Sequence, residues 1–131
     1  MDTSEQYIKM CDCEEIQELR RPTTDGFRIE NVWEDGDIIK YPQGRVRLFN
    51  PLWFEGGIEP KQYVWLPRQD QLQEMLKLPL LDLLCRFRDF IEFGKNPSYA
   101  ALFTSMEQLW LAFVMKTLHS KIWSNEAWVS E

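Results

Sequence analysis

Three cysteines and a single histidine, Cys11, Cys13, Cys85 and His119, carry the most reactive side chains in this 131-residue chain. A cysteine nucleophile needs a base within hydrogen-bond reach. His119 is the only imidazole, so Cys85 with His119 is the pair that could supply one. His119 follows the apolar run ending at Leu118, however, and a histidine at the C-terminal end of a helix complements the helix dipole from the surface. That is the reading adopted for it. A structural zinc needs four ligands, and the count fits. The spacing does not, because on a helix residues two apart diverge by about 200°, whereas zinc knuckles place C-x₂₋₄-C on a turn. Cys11 is read as core and Cys13 as surface, and neither a metal nor a cofactor is expected.

Carboxylates are plentiful, but acid/base catalysis needs two that converge in a cleft. The cluster Glu34, Asp35 and Asp37 reads more simply as a hairpin turn. No glycine-rich phosphate loop, dinucleotide fingerprint or H-E-x-x-H motif occurs, and no residue is assigned a catalytic role. The net charge of −6 is uneven, with −5 in residues 1–66 and −1 in residues 67–131. Without a concentrated basic patch, the counterion release that drives nucleic-acid binding is missing, as is attraction to an anionic membrane leaflet. Neither nucleic acid nor a membrane is expected as a direct partner.

These residues must be held by elements that the sequence signals clearly. Residues 3–20 read as a helix with Thr3 or Ser4 as N-cap and Arg20 and Arg21 at its end, before Pro22. Tyr7, Ile8, Cys11, Ile16 and Leu19 share its core-facing stripe, with Met10 outside it. From Phe27 to Leu66 short β-rich runs alternate with turn residues, and Asp35-Gly36 and Gln43-Gly44 provide the positive φ of tight turns. An antiparallel meander of three or more strands is expected.

The run "YVWL" is the last of these strands and Pro67 ends it, since proline has no N–H to give to a ladder and suits a first helical turn. The helix that follows turns Leu72, Met75 and Leu76 inward, with Gln69, Gln71 and Gln73 on the wet side. After Pro79 a helix carries Leu80, Leu81, Leu83, Leu84, Phe87, Phe90 and Ile91 on one apolar face and Asp82, Arg86, Asp89 and Glu92 on the other. A further helix begins with Thr104/Glu107 or Ser105/Gln108 as a capping box and should be the most buried. Trp123 and Trp128 flank Asn125, as a small terminal hairpin would place them.

The expected fold is therefore α+β: an N-terminal helix, the antiparallel meander, three helices and a C-terminal hairpin, in one domain over 1–131. The start "MDTSEQYIKM" is acidic, and the longest apolar run, "LWLAFVM", is far below the ~20 residues that span a bilayer. A cytoplasmic protein with reduced thiols is expected. Six Trp and eight Phe give a dense core with aromatics to spare for a partner. Trp53 and Phe54, in the loop "NPLWFEGGIEP", are read first as capping the open side of the sheet; the alternative is that they are the candidate partner contact, anchoring a partner or a second copy of the chain.

Four segments in order, "YIKMCDCEEIQEL", "WLPRQDQLQEML", "SMEQLWLAFVMK" and "KIWSNEAWV", resemble a group of short uncharacterised proteins encoded by prophages of Gram-positive bacteria. The likeness touches most of the chain outside residues 22–62. It departs at Ser124-Asn125, where those proteins usually carry Asp-Gly. The resemblance implies a phage-derived cytoplasmic protein and brings no catalytic residues with it. With the scarcity of catalytic groups, it favours a non-catalytic protein-interaction or regulatory module. The alternatives are an acidic inhibitor occupying a nucleic-acid-binding site of a host protein, and an enzyme of unfamiliar type.

Overall fold

Ser4 opens the first helix, its hydroxyl accepting the Tyr7 N–H at 3.2 Å, and helix α1 runs Glu5–Cys11. The single helix expected over 3–20 is broken. Asp12 leaves helical geometry, Cys13 is extended, and a short α2 covers Glu14–Gln17. The break rotates the second piece relative to the first, so the stripe drawn for one continuous helix goes out of phase: Met10 is buried and Leu19 is exposed.

The computed structural model describes residues 1–20, 23–25, 28–30, 33–34, 36–49, 62–92 and 97–131. It is an α+β structure of two compact units, Thr3–Pro67 and Met1–Asp2 with Arg68–Glu131.

In the first unit β1 (Thr23–Asp25) and β2 (Arg28–Glu30) form an antiparallel pair. Strands β3 (Ile38–Lys40), β4 (Val46–Leu48) and β5 (Val64–Leu66) make a three-stranded antiparallel sheet in the order β4-β3-β5. The β3–β4 hairpin turns where Gln43-Gly44 predicted, with Gly44 at φ +94° and the Tyr41 N–H bonded to the Arg45 carbonyl at 2.7 Å. Strand β5 joins the opposite edge of β3, so the strand that Pro67 terminates is an edge strand beside α1. The Tyr7 hydroxyl ties the two together by donating to the Pro67 carbonyl at 2.6 Å. Trp33, Phe49, Tyr63 and Tyr41 pack edge-on or tilted at centroid distances of 5.5–5.6 Å, the separation at which aromatic quadrupoles attract.

In the second unit α3 spans Gln69–Met75, α4 Leu80–Glu92, α5 Pro97–Ala100 and α6 Met106–His119. Gln71 departs from the wet role expected of it. It is buried, and its Oε1 accepts the Arg68 N–H at 2.9 Å, so the amide caps the helix start. At the other capping site Ser105 is the N-cap and accepts the Gln108 N–H at 3.1 Å. The Asp2 carboxylate accepts from the Gln108 side chain at 2.7 Å and from the Ser105 hydroxyl. A carboxylate there also suits the positive end of the α6 dipole. Helix α6 is apolar over most of its girth and buries Trp110, Leu111, Ala112, Phe113, Val114 and Met115.

Strands β6 (Lys121–Trp123) and β7 (Trp128–Ser130) form the expected C-terminal hairpin, turning at Asn125 with φ +77°. Its two tryptophans, Trp123 and Trp128, meet edge-on with ring centroids 5.1 Å apart. The half-buried Tyr99 hydroxyl accepts the Trp123 backbone N–H at 2.7 Å. Burial pushes the Tyr99 phenol above its ordinary value, against the lowering effect of that hydrogen bond, and the Glu131 charge adds to the rise. Because the folded state favours the neutral phenol, this contribution is intact below the ordinary tyrosine value of about 10 and is lost as pH rises through the raised folded value. Tyr99→Phe should cost about 1 kcal/mol at neutral pH by leaving the Trp123 N–H without its acceptor. It should also flatten part of the loss of stability above about pH 10, measured as denaturant midpoints across an alkaline series.

Candidate partner-docking face

Helix α4 follows Pro79, whose carbonyl accepts the Leu83 N–H at 2.9 Å and starts the helical ladder. Four of its five charges, Asp82, Arg86, Asp89 and Glu92, fall on one side at spacings of three and four, which supports an exposed face, while Arg88 lies one turn beyond Leu84 on the leucine side. Of its 13 residues only Leu83 and Phe87 are buried. The Phe87 ring lies flat on Trp110, with centroids 3.8 Å apart and 7° between planes, and it meets Phe113 edge-on at 5.5 Å. Phe90, half-buried, packs on Phe113 at 5.2 Å and on Tyr99 at 6.2 Å. An aromatic seam therefore attaches the helix.

That seam is narrower than the apolar face of the helix. At about 100° per residue, Leu83, Phe87 and Phe90 occupy an arc of about 60°. Leu80, Leu84 and Leu81 extend it by about 120° to one side. These three leucines are 68%, 47% and 76% exposed, although the sequence pattern assigned them to the core-facing side. Isolated exposed leucines are ordinary on protein surfaces. Three that adjoin on one helix face form a contiguous apolar patch, and such patches mark interaction sites. Cys85 is exposed on the same helix.

The other residues singled out in the sequence are distributed as follows. Trp53 and Phe54 lie outside the described residues, as does Asp35. Cys11 is buried and Cys13 partly exposed, on either side of the break between α1 and α2. His119 is exposed at the C-terminal end of α6. Among the described residues no group of three or more His, Cys, Asp or Glu side chains is placed to hold a metal ion, and no helix is long and apolar enough to cross a membrane.

Two arrangements were not anticipated. Arg20, read as a helix-end residue, donates to the buried Asp37 carboxylate at 3.1 Å and holds its guanidinium 5.3 Å from the Trp65 ring centroid. Gln17 is buried against β5. Residues 17 and 65 are too far apart in the chain for periodicity to connect them. The α4 patch did have a signal: seven apolar residues spread over about half the helix circumference, more than one buried face accommodates.

No protein-family model, no curated protein and no solved structure matches the chain.

Proposed function

We propose that this chain is a non-catalytic protein-interaction or regulatory module, of the prophage-encoded cytoplasmic kind its sequence resembles, that docks a protein partner on the leucine face of α4. The observation that carries this reading is the 68%, 76% and 47% exposure of Leu80, Leu81 and Leu84 on a helix already anchored elsewhere by Phe87. An apolar helix face of this kind is recognised by a complementary apolar groove or a second amphipathic helix, with alternate turns supplying the anchors. Leucines at the centre of such a contact are desolvated on docking, and the nearby Arg88 and Glu92 supply a polar rim.

The competing inhibitor reading needs the carboxylates of the first half arrayed outward. Two of them are engaged within the fold, Asp37 with Arg20 and Asp2 with Ser105 and Gln108, while Glu5, Asp12, Glu14 and Glu18 are exposed.

The test uses the wild-type chain and a variant carrying Leu80→Gln, Leu81→Gln and Leu84→Gln as parallel baits, since glutamine keeps helix propensity while removing apolar area. A protein held by the wild type is purified and titrated calorimetrically against both. The expected result is at least about a hundred-fold weaker binding to the variant, or about 2.7 kcal/mol. Equal affinity for both would sink the reading.

A further inference from the structure

Strand β5 combines two properties that natural sheets avoid leaving together: among the described residues it is at the edge of its sheet, and the run Tyr63–Leu66 is wholly apolar or aromatic and carries no charge. An edge strand presents unpaired N–H and C=O groups to any other strand. The opposite edge, β4, is flanked and interrupted by the exposed Arg45 and Arg47, the charged residues that discourage pairing. Strand β5 has no such protection of its own.

Helix α1 lies beside β5, held by the Tyr7 hydroxyl on the Pro67 carbonyl, and Gln17 closes the strand's backbone groups at Trp65. One side-chain amide satisfies both backbone groups of Trp65: Oε1 accepts the Trp65 N–H at 2.8 Å, and Nε2 donates to the Trp65 carbonyl at 2.8 Å. The same Nε2 also donates to the Cys11 carbonyl at 2.8 Å, at the end of α1. This pattern, one bond given and one received at a single residue, is what a hydrogen-bonded residue pair of an antiparallel ladder makes. The amide acts as a strand one residue long. Around it, Ile16 is fully buried, and Arg20 lies over the Trp65 ring while bound to Asp37, so residues 13–20 form a strap fastened beside and beyond the strand.

We propose that this strap is an autoinhibitory contact, in which Gln17 closes the β5 edge against the same edge of a second copy of this chain. The occupant follows from the geometry. Two β5 strands paired antiparallel about Trp65 would place each Trp65 opposite the other, and such a pair exchanges two N–H to carbonyl bonds. Those bonds replace the two that Gln17 makes to Trp65, one for one. The inference concerns the first unit and does not depend on the α4 reading.

The test compares wild type with Gln17→Met, which keeps the length and removes every hydrogen bond, and with Gln17→Asn, which keeps the amide but is too short to bridge. Sedimentation equilibrium over a wide concentration range gives the association state, and hydrogen exchange of the Trp65 amide reports on its bond. The expected result is folded variants that dimerise at least about ten-fold more tightly than wild type, with the Trp65 amide protected at high concentration and exposed on dilution. Variants that sediment as wild type at every concentration, with the Trp65 amide unprotected throughout, would overturn the proposal, leaving Gln17 as a hydrogen-bond partner and nothing more. Loss of the folded circular dichroism signal in both variants would overturn it too, because a guard can be removed without removing what it guards.

Discussion

Trp110→Ala should cost the fold about 3 to 5 kcal/mol and should loosen α4 as it does so. Trp110 is 2% exposed and contributes the largest side chain of the most buried helix, so truncation leaves a cavity that rigid neighbours fill only in part. The loss is not confined to α6. Phe87 stacks on that indole at 3.8 Å, and with Leu83 it is all that α4 buries, so removing the indole takes away the surface on which the helix rests. The prediction has two readouts. The urea midpoint should fall by the stated energy, and amide protons of α4 should exchange faster than those of α3. A midpoint near that of wild type would show that the aromatic seam does not hold the helix.

The second large effect belongs to Asp37. Its carboxylate is 2% exposed and accepts from Arg20 at 3.1 Å and from the Glu34 N–H at 2.9 Å. Its backbone N–H and carbonyl bond to Glu34 and Phe49. The neighbouring Arg20–Glu34 pair, at 3.8 Å with Glu34 76% exposed, contributes little because solvent screens it. Asp37→Ala should therefore destabilise by about 3 kcal/mol, since it leaves a partly buried guanidinium over Trp65 without its anion and a backbone N–H without an acceptor. Asp37→Asn keeps the acceptor and loses only the charge, and should cost about half as much. Both deficits should persist in 1 M salt, where the Debye length of about 3 Å erases exposed pairs but not a covered one. Equal stability of Asp37→Ala and wild type would mean that the pair is held by the fold without supporting it.

How far the sequence alone leads can be judged from particular residues. Pro67 ending a strand two residues before a helix, Gly44 and Asn125 at turns, N-caps narrowed to Thr3 or Ser4 and to Thr104 or Ser105, and the facing tryptophans of the terminal hairpin are all local events, decided within a few residues by backbone sterics and capping. These could be read directly. The break at Asp12 could not, because nothing near it forbids a helix; the gain comes from swinging Gln17 onto Trp65, 48 residues away. The partner chosen by β5 was hidden for the same reason, since an antiparallel strand of that pattern fits either edge of a hairpin. Leu80, Leu81 and Leu84 show the remaining limit. Periodicity reports that a face is apolar and not whether the fold has anything to lay against it. The candidate pair Trp53 and Phe54 was legible as a loop, and lies outside the described residues.

The proposed docking function depends on the α4 leucines facing outward in the folded chain. The direct measurement is the unfolding free energy of the chain carrying Leu80→Gln, Leu81→Gln and Leu84→Gln together, taken from a urea titration without any partner present. Surface positions on a helix, given a residue of comparable helix propensity, should leave it within about 1 kcal/mol of wild type. Leucines packed in a core would lose about 2 to 5 kcal/mol apiece, and a variant that is unfolded in buffer would contradict the account.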